Sequence, residues 1–80
     1  MKLNKGSVVR AAAGRDSGKL FAVTEVQGGY CFIADGKTRK LASDKRKNIK
    51  HICPTDSMID LNDITDKKLR TLLRQLAVEE

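Results

Sequence analysis

The chain has 80 residues, 40% of them hydrophobic and 32% charged, with 16 Lys and Arg against 10 Asp and Glu for a formal net charge of +6. That length provides one domain with a small core and excludes an enzyme built around a large cleft; no apolar run reaches the roughly 18 residues needed to span a bilayer. Trp is absent and Phe21, Phe32 and Tyr30 are the only aromatics, so the core must be mostly aliphatic.

Met1 to Lys5 runs into Gly6 with no apolar signal-peptide core, which predicts a cytoplasmic protein with an intact N-terminus. Ser7 to Ala13 (SVVRAAA), rich in β-branched and small apolar residues, predicts a first strand that stops at Gly14. Lys19 to Gln27 (KLFAVTEVQ) predicts a second, and Gly28-Gly29 supplies the backbone freedom of a tight hairpin. Tyr30 to Asp35 (YCFIAD) is therefore expected as a third strand, antiparallel to the second. Asp35-Gly36 is another strong turn dipeptide, after which a fourth strand is expected to begin near Lys37. Beyond Arg39-Lys40-Leu41 the pattern dissolves into Ala42 to Lys47, too polar to pack, which reads as a loop. Asn48 to Cys53 (NIKHIC) predicts a short closing strand, ended by Pro54 because proline lacks a ladder donor.

Short strands joined by tight turns point to a small barrel or a strongly bent sheet, and closing the sheet removes its exposed edges. The last segment behaves differently. Leu69, Leu72, Leu73 and Leu76 recur at i, i+3, i+4 and i+7, one apolar stripe on a helix. Asp63 or Thr65 can cap its first turn, with Asp66 favourably placed against the dipole. Packing of the stripe on the barrel is the expected role, and a partner-binding face the alternative.

Charge divides the chain in the same way. Residues 1 to 53 contain twelve basic and four acidic residues, and residues 54 to 80 four basic and six acidic. Within Lys37 to Lys50, Lys37, Arg39, Lys40, Lys45, Arg46, Lys47 and Lys50 face only Asp44, a surplus equal to the net charge of the whole chain because the remaining residues cancel. Phosphate of nucleic acid is the natural counterpart of such a patch, and a solvated loop the plain alternative. In Gly14 to Lys19 two glycines flank Arg15-Asp16-Ser17, so the backbone can turn tightly and expose its amides while Arg15 and Lys19 bring charge. An ordinary inter-strand loop accounts for the same glycines. It is not a P-loop, because Leu20 rather than Ser or Thr follows Lys19.

Cys31 and Cys53 are the only cysteines and are expected as small reduced side chains rather than a disulfide. Together with His51 they lack metal-ligand spacing, so neither metal nor cofactor is expected. His51 and Cys53 can share one side of a strand, but no third group is at hand to orient a base, and the chain is expected to be non-enzymatic.

The run Gly6-Ser7-Val8-Val9-Arg10, then Gly14-Arg15-Asp16-Ser17-Gly18-Lys19, then Val23 and Val26, resembles the KOW motif of ribosomal and transcription-elongation proteins. The closer resemblance is to archaeal and eukaryotic large-subunit ribosomal proteins of the fourteen-e type and their small bacterial relatives. In those a G-x-x-x-G-K-L run leads into an apolar strand, a D-G turn and a basic stretch, as do Gly14 to Leu20, Asp35-Gly36 and Lys37 to Lys50. Lys50-His51-Ile52-Cys53-Pro54-Thr55 resembles the K-H-x-x-P ending of related ribosomal KOW domains. Phe21 departs from the glycine that many KOW sequences place there, which favours the fourteen-e type over the bacterial transcription factors. The likeness covers roughly Lys5 to Thr55.

This resemblance implies a mainly β fold, a small SH3-like barrel of about five short strands over residues 1–55, followed over 56–80 by a linker and the amphipathic C-terminal helix. It also implies an RNA-binding protein acting on structured, ribosomal RNA. Arg15, Lys19, Lys37, Arg39, Lys40, Lys45, Arg46, Lys47 and Lys50 are then expected to contact phosphate and ribose, with shape rather than base identity read in helical regions. Ribosomal proteins are further expected partners, and the free protein is expected to be a monomer. Tyr30 is expected either to stack on an unpaired base or simply to pack. The alternative is an SH3-like protein-interaction module in transcription or translation, although three aromatics are a poor supply for a peptide groove.

Overall fold

In the computed structural model the described residues are 3–12, 14 and 17–79. In chain order they form β1 (Ser7–Ala11), β2 (Leu20–Gln27), β3 (Tyr30–Ala34), a 3-10 turn (Leu41–Ser43), β4 (Lys45–Asn48), a second 3-10 turn (Ile49–His51), β5 (Ile52–Met58) and α1 (Asp66–Glu79). The five strands make one antiparallel sheet in the order β4-β3-β2-β1-β5. The last strand thus returns to lie beside the first. The fold is mainly β, as expected, and consistent with a small SH3-like domain carrying a C-terminal helix.

The near-continuous apolar runs in β2 and β3 reflect burial on both faces of the sheet. Val9, Ala11, Phe21, Val23, Cys31, Ile33 and Ile52 fill the concave interior. Their neighbours along the strands, Val8, Leu20, Ala22 and Ala34, form a second cluster on the opposite face with Ile59, Leu69 and Leu73. Val8 pairs with Ala22 and Ala22 with Ala34, a row across three strands in which two of the three side chains are single methyl groups. That shallow row is where α1 lies. Register shifts between Ser7 and Val9 and between Val23 and Glu25 locally increase twist and let the sheet bend.

Thr65 rather than Asp63 caps α1, its Oγ1 accepting from the Lys68 N–H at 3.1 Å. The Asp66 carboxylate accepts from the Leu41 N–H at 2.7 Å and ties the first turn of the helix to the 3-10 turn across from it. Gly36 makes that approach possible: it is buried with φ of +78°, and a Cβ on it would overlap the Asp66 carbonyl oxygen. Leu69 and Leu73 are buried, while Leu72 and Leu76 pack at the margin of the cluster.

Three expectations for the strands need correction. No strand begins near Lys37, because the Asp35 carboxylate accepts from the N–H groups of Lys37 and Arg39, at 2.9 and 2.8 Å, while the Arg39 carbonyl accepts from Asp35 and Gly36. The local backbone groups are consumed inside one tight turn. The polar stretch that reads as a loop instead holds the 3-10 turn and β4, whose residues pair with Tyr30, Cys31, Phe32 and Ile33. An edge strand needs a backbone partner on one side only, and charged side chains suit it. Finally, Asn48 to Cys53 is not one strand: Asn48 Oδ1 accepts from the Lys50 N–H and starts the second 3-10 turn, and β5 then continues through Pro54 to Met58. Pro54 is tolerated because β5 is the other edge and pairs only with β1. His51 and Cys53 therefore fall on different elements. The first strand ends at Ala11, and Ala13, Arg15 and Asp16 lie outside the described residues.

Candidate nucleic-acid interface

A cavity of about 290 Å³ opens where α1 passes the strand ends, and Arg10, Lys19, Lys37, Arg70 and Arg74 line it over a floor that includes Leu20 and Leu73. Each cation arrives for a local reason. Arg10 faces away from the concave interior because its neighbours Val9 and Ala11 face into it, and its Nη1 donates to the Gly18 carbonyl at 2.5 Å. Lys19 leads into β2 immediately after the Gly18 turn. Lys37 projects from the turn that Asp35 closes. Arg70 and Arg74 stand at i and i+4 on the flank of α1 beside Leu73.

Among the described residues Asp35 is the one acid lining the cavity, and its Oδ1 already accepts from two backbone N–H groups. Lys37, Arg70 and Arg74 also line an adjoining recess by themselves. Like charges at i, i+4 on a helix destabilise it by a few tenths of a kcal/mol, and a concave wall focuses their field outward. An anion relieves both effects. Guanidinium groups suit phosphate in particular, since they can donate two parallel hydrogen bonds to its oxygens.

A second basic surface follows β4. Arg46 lies opposite Phe32 in register, and its guanidinium carbon is 4.9 Å from the centre of the Tyr30 ring. Lys45 and Lys47 pair with Ile33 and Cys31, so they rise half-buried from the core-facing side of the rim. The Lys47 Nζ lies 3.7 Å from where a Cβ on Gly14 would be, alongside the β1–β2 loop. Lys50 is exposed in the second 3-10 turn, and Lys40 is exposed just before the first. Arg39 is half-buried in the Asp35 turn. Asp44, the only acid of the stretch, accepts from Thr24 Oγ1 at 2.5 Å.

The basic stretch is thus not one loop surface. Lys19 and Lys37 meet in the cleft, Lys45, Arg46, Lys47 and Lys50 follow the β4 rim, and Arg15 lies outside the described residues. Arg10, Arg70 and Arg74 are the cleft residues that sequence reading missed. A signal for the helix pair was present: Lys67, Arg70 and Arg74 recur at i, i+3 and i+7 beside the leucine stripe. The acidic balance of residues 54 to 80 masked it, because Asp56, Asp60 and Asp63 lie before the helix.

Cys31 is buried and Cys53 exposed, both as free thiols, and burial pushes the Cys31 thiol pKa up. Among the described residues no three His, Cys, Asp or Glu side chains come together as a metal site, and no helix is long and apolar enough to cross a membrane. Scanned against models of protein families the chain matches none, and a search of curated proteins gives no match.

Proposed function

We propose that this is a non-enzymatic, cytoplasmic RNA-binding protein of the KOW type that holds the phosphate backbone of structured, ribosomal RNA. The observation that carries this reading is the cleft. Among the described residues five cations from both halves of the chain converge there around a single carboxylate, whose Oδ1 is already hydrogen-bonded. Phosphates entering it release condensed counterions, and the β4 rim with Arg46 and Lys50 extends the contact along the backbone. Guanidinium and ammonium groups spaced by a sheet and a docked helix select by spacing and shape, as proteins do on double-helical RNA.

A salt titration tests the proposal. With about four or five phosphates engaged, the slope of log K against log salt is roughly −3 to −4.5, so affinity for a structured RNA drops on the order of 10²-fold between 50 and 200 mM salt. Binding that does not weaken over that range refutes phosphate recognition. A protein partner is the second reading. It is favoured by the apolar recess on the other flank of α1, where Met58, 60% exposed, lies with Ile59, Leu72 and Leu76.

A further inference from the structure

We infer that Tyr30, Phe32 and Arg46 form a stacking platform for an unpaired RNA base, so that the preferred ligand is RNA carrying single-stranded or bulged nucleotides rather than uninterrupted duplex. The inference rests on the RNA-binding reading, but its observations come from the other end of the sheet, away from the cleft. Along β3, Cys31 and Ile33 are fully buried in the concave interior, which turns Tyr30 and Phe32 to the opposite face. Helix α1 covers only one end of that face: Ala34 belongs to the helix-side cluster, whereas Tyr30 and Phe32 do not. Two of the three aromatics in the chain are therefore placed at i and i+2 on a sheet surface that the helix leaves open.

Tyr30 is 44% exposed. Arg46, from the neighbouring edge strand, is opposite Phe32 and holds its guanidinium carbon over the Tyr30 ring, 4.9 Å from its centre. The three side chains are thus neighbours on one sheet face, and both aromatic rings and guanidinium planes stack on nucleobases. The residues paired with Tyr30 on its two sides are Gln27 and Asn48, amides with the donors and acceptors that read base edges. Asn48 Oδ1 already accepts from Lys50, leaving its NH₂ as the free donor.

The charge on this face distinguishes base from backbone. Glu25 lies opposite Phe32 and is paired with Lys5 at 3.4 Å. Paired in this way, Glu25 and Lys5 together bring no net charge to this face, which suits a neutral base, in contrast to the cationic cleft beside α1. The simpler role for Tyr30, serving as an internal cation–π partner that steadies β4, accounts for the Arg46 contact but not for the flanking amides.

Tyr30 is the only tyrosine and Trp is absent, so the intrinsic fluorescence of the full chain reports on this residue alone. Three probes at low salt separate the possibilities: single-stranded oligoadenylate, a blunt RNA duplex and inorganic polyphosphate, which has the charge but no bases. Oligoadenylate is expected to quench Tyr30 emission after absorbance correction, and polyphosphate to bind without quenching. Tyr30→Leu is expected to weaken oligoadenylate binding roughly tenfold while duplex binding is unchanged, and Tyr30→Phe to retain the affinity. Oligoadenylate that binds without quenching, or polyphosphate that quenches equally, overturns the platform and leaves the RNA reading intact. Failure of both RNA probes to bind overturns both. The quenching measurement uses the native chain, so it decides the matter even if Tyr30→Leu folds poorly.

Discussion

Replacing Arg70 and Arg74 together by Gln removes two of the five cations of the cleft and leaves its floor in place. If each guanidinium holds one phosphate, the slope of log K against log salt should become shallower by roughly 1.4 to 1.8, taking about 0.7 to 0.9 per contact. Over a fourfold rise in salt the double variant then loses about tenfold less affinity than the native chain, having started from weaker binding at low salt. Folding is expected to survive, because both side chains are exposed, glutamine is a comparable helix former, and separating the like charges at i, i+4 relieves a few tenths of a kcal/mol. Anisotropy of a labelled structured RNA across a salt series gives the slope, and a thermal melt of each variant checks the fold. Lys68→Gln, on the opposite flank of α1, is the matched control and should leave the slope unchanged. A native slope in the folded double variant refutes the cleft as a phosphate site.

Gly36→Ala is expected to destabilise the domain by at least about 2 kcal/mol, since a side chain at that positive φ is strained and its Cβ collides with the first turn of α1. A native denaturant midpoint would contradict the docking geometry. Changing Lys45, Arg46 and Lys47 together to Glu loses folding as well as RNA affinity, because Lys45 and Lys47 are half-buried on the core-facing side of the rim. Arg46→Glu alone should lower RNA affinity at a cost of about 1 kcal/mol or less, that of the contact with Tyr30; urea titrations of the two variants separate these outcomes. A thiol reagent should label Cys53 at once and Cys31 only through opening of the sheet, which the number of thiols modified in the first phase reports. Because burial raises the Cys31 pKa, its contribution to stability is full below the unfolded thiol pKa and declines as pH rises through the folded one. The alkaline fall in denaturant midpoint should accordingly be smaller in Cys31→Ala.

Strands β1 to β3 were legible because their signals are local: segments of five to eight residues rich in apolar and β-branched side chains, bounded by glycine turns. The sequence of β4, Lys45-Arg46-Lys47-Asn48, contains no apolar residue at all. It becomes a strand through the open edge of β3, a tertiary cause that no local pattern records. Pro54 misled for a related reason, since whether proline ends a strand depends on which edge of the sheet it occupies. The candidate site divides similarly. Lys19 and Lys37 could be selected from runs of charge, but Arg10 and Arg70 lie 60 positions apart in the sequence and meet only because α1 folds back over the row of Val8, Ala22 and Ala34. The i, i+3, i+7 stripe of Lys67, Arg70 and Arg74 was readable, but the acids before the helix diluted it.

That row has a further consequence for biosynthesis. A chain emerging from the ribosome completes all five strands before the helix that covers them is available. In that interval the outer face of β1, β2 and β3 is uncovered, the kind of surface on which nascent chains stick to one another. On the part of that face that the helix later covers, the alanines at 22 and 34 leave Val8 and Leu20 as the large apolar side chains of the strands. The small side chains that let the helix approach closely also keep the half-finished sheet from presenting a broad adhesive patch.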